Sequence, residues 1–566
     1  MSDTSSIAPL AVREQFMTEP RLGAGNFLEY AVAMNPHRDV PYAFTHHTDH
    51  RGAVLLRGYS LRDLAALRDR YAKWYHANGV RPGEPVGIIV ADGLEPLVHF
   101  MALNALGAIP ALINDAMRID VMVRYLNHVG VVGVVADDTT RLLSAYREDP
   151  QRRPRFIALA AEIPAFDASA GSLPAEYPYK HADDDIVALI HSSGTTGTPK
   201  STMLGHKSFW NGKQPRMVRF PAEPYDKLMS LMPHTHAGGL SYFLTATLLG
   251  LPTVIMGDWR RVTVEPVMEA FQPTMLASFP RTYVELATGD LPVKGAAKVH
   301  SWFNTADAAH YGHIRRLVTL GERPAGLIKP WLLPSEAADE EPLPGSRYVD
   351  GLGSSEMGMA LFGGLFTPET PRNDRCVGKP TEVCAATVLD NDGNEVPVGT
   401  VGLLAVKTPS RTPGYWKAER LTESFELNGW WLTGDVARKD AEGDFYHLDR
   451  TVDVIDTASG PVYSLELEEI LLADCADVVR DGVVVGVPAR GGVAQEPIAV
   501  VQVQADAQDW TPEAILDRAN KELADKGLPP LAAVTIAATA EDYPLGPTGK
   551  VLKRELRTKF ASLLRR

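Results

Sequence analysis

Strand-length apolar runs alternate with helical patterns from the N-terminus to about Asp449, and few folds accept that rhythm. VGIIV (Val86–Val90), VVGVVA (Val131–Ala136), IVALI (Ile186–Ile190), LMSLM (Leu228–Met232), PTVIM (Pro252–Met256) and MLASF (Met275–Phe279) carry no polar face. Strands of that kind are buried on both sides, which predicts an α/β chain with mostly parallel sheets covered by helices. In such sheets ligands collect where strand ends meet loops. Past Asp449 the pattern changes to LELEEILL, GVVVGVPA and PIAVVQVQA, ending in a basic helical tail. That predicts a small, mobile α+β domain, so a 566-residue chain is expected to divide into 1–448 and 449–566.

Charge and cysteine usage remove several classes. A formal net charge of -14 argues against a nucleic-acid partner, whose phosphates attract basic surfaces. Cys376, Cys384 and Cys475 form neither a metal-spaced pair nor an even framework, which suits reduced thiols in the cytoplasm. MSDTSSIAPL lacks the apolar stretch of a secretory signal. The greasiest stretch is broken by Asp92, Glu95 and His99, so no membrane span is expected.

The densest chemistry lies in HSSGTTGTPK, directly after the run Ile186–Ile190. Ser192, Ser193, Thr195 and Thr196 bring hydroxyls, Gly194 and Gly197 permit close backbone approach, and Lys200 adds a cation. Such a turn can surround phosphate oxygens with N–H and O–H donors. The GxxxxGK[ST] spacing of a Walker loop is absent. A plain Ser/Thr/Gly surface turn is the competing reading.

The segment resembles the phosphate-binding signature of the adenylate-forming (AMP-binding) superfamily, which includes acyl-CoA synthetases, luciferase and peptide-synthetase adenylation domains. Other segments are similar to that superfamily in the same order. YVDGLGSSEMG (Tyr348–Gly358) resembles its adenine- and magnesium-holding stretch, GWWLTGDVARKDAEGDFYHLDR its ribose-binding stretch and hinge, and PLGPTGKVLKREL its catalytic-lysine loop. The resemblance implies that ATP contacts the Ser192–Gly197 turn, Lys200, Asp350, Gly351, Leu352, Ser355, Asp435 and Arg450. It implies Glu356 as ligand of Mg²⁺ and catalytic group, Asp435 as acceptor from the ribose hydroxyls, and Lys550 as the cation beside the α-phosphate. The resemblance also implies His236 at the mouth of the acid pocket, with Gly238, Gly239, Asn304, Thr305, Ala306, Asp307, Gly353 and Ser354 as its walls. So many small residues leave room for an aromatic or medium-length acid.

Some positions depart from the superfamily pattern. Leu352 stands where a tyrosine usually lies on the base, losing a stacking contribution of roughly 1 kcal/mol. Ser355 replaces threonine, and Val452 stands where a pivot Asp or Lys is usual. DTASGPVYSLELEE has only Gly460 where glycines usually line the approach of a thiol. The resemblance therefore implies adenylation of a small acid followed by transfer to coenzyme A. Transfer to a carrier-protein thiol or an amine, or activation of another oxyanion, stays open. So does a nucleotide-binding relative without catalysis.

Overall fold

The computed structural model of the protein describes residues 5–166, 171–192, 199–288, 292–305, 308–327, 341–489, 491–492, 494–546 and 549–565. Two sheets organise the larger part. In the first, Phe156–Leu159, Gly133–Ala136, Pro85–Ile89, Ile109–Leu112 and Ile186–Ser192 run parallel, and Lys200–Gly205 closes the edge antiparallel. The apolar runs sit at its centre because helices cover both faces. One of these, Leu94–Ala105, is buried along its whole length.

The second sheet has 14 strands and is mixed. Arg347–Asp350, Ser301–Asn304, Met275–Ser278, Leu228–Ser230, Thr253–Ile255 and Ala43–Thr48 form its parallel half. Beyond Asp350 the strands Phe362–Phe366, Cys376–Pro380, Phe445–Arg450, Trp430–Lys439, Gly402–Lys407 and Ala385–Leu389 are antiparallel. The expectation of mostly parallel sheets holds up to Asp350. Past it the connections lack crossover helices, and strands joined without them pair antiparallel.

Two local signals position the site. Helix Ala237–Leu249 is apolar all round and buried, starts with His236 as its cap and stops at left-handed Gly250. Gly239 lets this helix lie against the preceding loop, since a Cβ there would sit 2.4 Å from the Pro233 carbonyl oxygen.

The C-terminal part has its own apolar cores. One joins residues from Ile455 to Val534, including helix Ser464–Asp474, and another packs Val483, Val485 and Ile498 against Tyr543 and Leu556. Its sheet is Val479–Pro488, Gln495–Val503 and Ala533–Ile536. No described helix is long and apolar enough to cross a membrane.

Candidate active site

Strand Ile186–Ser192 delivers the glycine-rich segment, and Ser192 pairs with Lys200 across the closing ladder. Ser193, Gly194, Thr195, Thr196 and Gly197, and the Ser192 side chain, lie outside the described residues. Lys200 Nζ sits 4.1 Å from the Phe425 ring centroid and 5.1 Å from that of Tyr415. Burial lowers its pKa, opposed by the charge of Glu356 and reinforced by that of Arg450. Those three charged groups therefore share one neighbourhood.

Glu356 is held from two sides. Its carboxylate accepts the Tyr415 hydroxyl at 2.9 Å, and its backbone carbonyl accepts the Thr412 N–H at 2.8 Å. Beside it, the Ser355 hydroxyl oxygen is buried with no hydrogen-bond partner among the described residues. An orphan buried hydroxyl next to a hard carboxylate suits a phosphate oxygen or a hydrated Mg²⁺.

Asp435 and Arg450 face each other across a ladder pair, with Arg450 Nε 3.1 Å from Asp435 Oδ1. His447 Nε2 lies 3.5 Å from the same oxygen. Burial alone would raise the Asp435 pKa, but His447 and Arg450 outweigh it and hold the carboxyl below its ordinary value. It is an anion at neutral pH, with acceptor capacity for a ligand's hydroxyls.

Lys550 arrives from the small domain. Its loop is pinched by the Gly546 N–H donating to the Lys550 carbonyl at 2.7 Å and by a bridge between Leu545 and Val551. Gly549, at φ +76°, packs so closely on Arg281 that a Cβ would lie 2.7 Å from the arginine Cβ. The loop is thus docked on the large domain, and the Lys550 charge acts on His236. Burial, then His191 and Lys550, push the His236 pKa down to about 3, so the ring is neutral at pH 7. His236 Nδ1 accepts from the Gly238 N–H at 3.4 Å, which leaves Nε2 as the protonated donor.

Ion pairs across the domain boundary hold this docking. Arg281 meets Asp481 at 2.9 Å, Arg372 meets Asp474 at 2.6 Å, and His310 Nδ1 lies 2.8 Å from Glu469. Burial would push His310 down, but hydrogen bonds to Glu468 and Glu469 overcome it and raise the imidazole to about 9. A raised histidine pKa contributes stability that is complete below about pH 6.5 and lost as pH climbs through about 9. Small-domain docking, followed by a fluorophore pair spanning the domains, should therefore loosen over that alkaline window. In His310→Gln the window should disappear; an unchanged profile would place the control elsewhere.

A narrow cavity opens between His236 and the stretch 353–360. Gly238, Thr305, Gly353 and Ser354 line it, with Ala237, Ser241, Tyr242, Phe279, Arg216, Gly358, Met359 and Ala360. The structure turns three sequence candidates elsewhere. Gly239 faces the Pro233 carbonyl instead of the cavity, for the packing reason given above. The Asn304 amide donates to Asp350, whose carboxylate also accepts the Ala309 N–H at 3.1 Å. Asp350 thus braces the loop after Ser301–Asn304 and is itself 1% exposed. Leu352 belongs to the main apolar core at 2% exposure, so it offers no open face to a base. Gly351 is buried between them, and Ser354 Oγ accepts the Met357 N–H at 3.2 Å. Ala306 and Asp307 lie outside the described residues.

Sequence reasoning missed Arg216, Ser241, Tyr242 and Tyr415. Arg216 lies in KQPRMVR, which has the composition of a surface basic run, and only the packing shows it buried at 2% exposure. Tyr415 lies far from Glu356 in sequence, with no signal linking the two.

The model of the AMP-binding enzyme family matches residues 43–416. The chain belongs to the AMP-binding enzyme family. It is therefore an adenylate-forming enzyme that uses ATP. A 3-aminoavenalumate diazotase from a Streptomyces species is 35% identical over 572 residues, covering 97% of this chain and 98% of the relative. The 3-hydroxybenzoate–CoA/4-hydroxybenzoate–CoA ligase of Thauera aromatica is 26% identical over 539 residues, 90% of this chain and 93% of its own. An anthranilate CoA ligase solved with anthranoyl-AMP aligns with a TM-score of 0.79 over 96% of this chain and 98% of its own. At 19% identity that likeness shows a shared fold. In this AMP-binding enzyme, Glu356 and Arg450 act on Lys200, Asp435 pairs with Arg450, and Lys550 acts on His236.

Proposed function

We propose that this enzyme is a diazotase: it adenylates nitrite and hands the nitrogen to the amine of an amino-substituted aromatic acid. What carries the reading is the whole-length likeness at 35% identity to a diazotase, against 26% to a hydroxybenzoate–CoA ligase. The hinge supports it. Val452 is 51% exposed where a charged pivot is expected, and Asp453 is tied to Arg557. The large domain would be 1–448, with both pockets, and the small one 449–566.

The chemistry balances without an oxidant. A nitrite oxygen attacks the α-phosphorus, the bond to the bridging oxygen breaks, and pyrophosphate leaves with the electron pair. The amine nitrogen then attacks the activated nitrogen, the N–O bond to AMP breaks, and the amine loses a proton. Protonation and loss of water from the resulting N-nitroso amine give the diazonium ion. Lys550 would offset the charge gathering at the α-phosphorus, and His236 Nε2–H would orient an oxyanion without itself titrating. Asp435 and Arg450 would hold the ribose, and Lys200, Ser355 and residues 192–197 would contact the phosphates. Glu356, steadied by Tyr415, would hold Mg²⁺, which screens the phosphate charge.

A thiol acceptor, of coenzyme A or a carrier protein, is the second reading, and the hydroxybenzoate–CoA ligase relative favours it. One assay separates them. With ATP and Mg²⁺, pyrophosphate release should need nitrite and should proceed without coenzyme A. Release driven by aromatic acids alone, with thioester formed when coenzyme A is added, would overturn the diazotase reading.

A further inference from the structure

We propose that Lys553 is a positioning residue for Lys550: it ties the Lys550 loop to Glu468, the same carboxylate that His310 of the large domain contacts. This rests on the role given to Lys550 above and adds the link that carries domain docking to that cation.

Four charged side chains from four stretches of the chain meet here. Lys553 opens the helix Lys553–Lys559, three residues after Lys550. Its Nζ lies 2.7 Å from Glu468 Oε1 and donates to Ser464 Oγ at 2.6 Å. Glu468 Oε1 also accepts the Val484 N–H at 2.9 Å, which pins the carboxylate to the strand Val479–Pro488. The other oxygen of Glu468 lies 3.5 Å from His310 Nε2, and the neighbouring Glu469 accepts the Tyr311 N–H at 2.8 Å. Towards the hinge, Asp449 Oδ2 accepts the Ser464 N–H at 2.6 Å and Oδ1 accepts the Arg450 N–H at 2.9 Å. Lys553 therefore sits where the docking contact, the hinge and the Lys550 loop join.

The cluster is built to stay charged although its members are buried. Burial works against the Lys553 charge, but Glu468, Asp449 and Asp453 outweigh it and hold the ammonium pKa above its ordinary value. Burial would likewise raise Glu468, and Lys553 and His310 hold it below the usual carboxylate range. Such a pair is a costly way to fill a core, since apolar side chains of the same volume often hold a fold as well. What the charges add is a fixed geometry, with one carboxylate read by both domains.

That geometry reaches Lys550. The loop closes on itself, with the Leu552 N–H donating to the Pro544 carbonyl at 2.9 Å, so Lys550 rides on the segment that Lys553 anchors. Three residues of chain span at most about 11 Å, and a shift at Lys553 passes to Lys550 with little slack. A misplacement of about 1 Å at a reacting centre can cost about a hundredfold in rate. The partners of Lys553 are Glu468 and Ser464, so it acts on the reaction through Lys550.

The test is a double-mutant cycle read by pyrophosphate release with ATP, Mg²⁺ and nitrite, 3-hydroxybenzoate replacing nitrite if nitrite drives no release in wild type. Lys553→Met keeps the length of the side chain and removes its charge. It should lower kcat about tenfold or more and leave the KM for ATP within about twofold. In a Lys550→Ala background the same substitution should cost less than about twofold, because no cation remains to be placed. An equal tenfold loss in both backgrounds would show that Lys553 serves the fold as a whole and would overturn the assignment. So would a Lys553→Met enzyme that releases pyrophosphate at the wild-type rate. Should that variant not fold, Glu468→Gln takes its place in the cycle, with the same losses expected. It keeps the side-chain shape and an acceptor oxygen for the Val484 N–H. Lys550→Ala by itself reports on the reading beneath. A near-normal rate there would sink the role of Lys550, whereas a hundredfold loss with additive effects would sink only that of Lys553.

Discussion

Lys550→Ala should slow pyrophosphate release by at least about a hundredfold while ATP binding stays within a fewfold of wild type. When an oxyanion attacks the α-phosphate, two anions approach each other and negative charge gathers on the equatorial oxygens. A cation that meets that charge only as it develops lowers the barrier more than it stabilises bound ATP, so the loss belongs in kcat. A hundredfold corresponds to about 2.7 kcal/mol, within what one well-placed charge supplies in a water-poor cleft. The position of Lys550 supports this magnitude. Its loop is docked through Gly549 on Arg281, and its charge already bears on His236. Single-turnover release with excess enzyme, alongside calorimetric titration with a non-hydrolysable ATP analogue, separates the two quantities. A variant that forms adenylate at a near-normal rate would mean that another group does this work. A variant that fails to bind ATP would make Lys550 a ground-state contact.

The parallel half of the fold was legible because buried strands leave continuous apolar runs, and Val86–Val90 or Ile186–Ile190 have no amphipathic alternative. The antiparallel arm was harder to read. Strands such as Gly402–Lys407 mix apolar and charged residues, and only their neighbours decide the pairing. For the candidate site, the reading rests on short ordered segments around Glu356, Asp435 and Lys550, since each carries its own backbone geometry and side chain in a few consecutive residues. Pocket walls are built differently. Arg216, Tyr242, Phe279 and Met359 meet from four separate stretches, and nothing local to KQPRMVR distinguishes a buried guanidinium from a solvated one. Leu352 carries two signals at once. Its place in the segment suggested a base contact, while its apolar side chain follows the simpler rule and joins the core.

The second large effect should fall on nucleotide affinity. Asp435→Asn should raise the KM for ATP by about tenfold or more and change kcat much less. The carboxylate is anionic despite its burial because His447 and Arg450 hold it so, and two hydroxyls donating to it make charge-assisted bonds worth about 1.5–3 kcal/mol each. Asparagine keeps the shape but presents a single acceptor oxygen and turns an N–H₂ towards Arg450 Nε, which now sits 3.1 Å from the carboxylate. The fold should tolerate the change, since Arg450 is half exposed and can turn to solvent. Sugar-modified nucleotides make the argument specific to the ribose. Wild type should bind 2′-deoxy-ATP more weakly than ATP, and the variant should bind the two nearly alike, because the acceptor that reads the hydroxyl is gone. An equal penalty for the deoxy nucleotide in both proteins would show that Asp435 and the ribose do not meet, and would move the sugar to another part of the cleft.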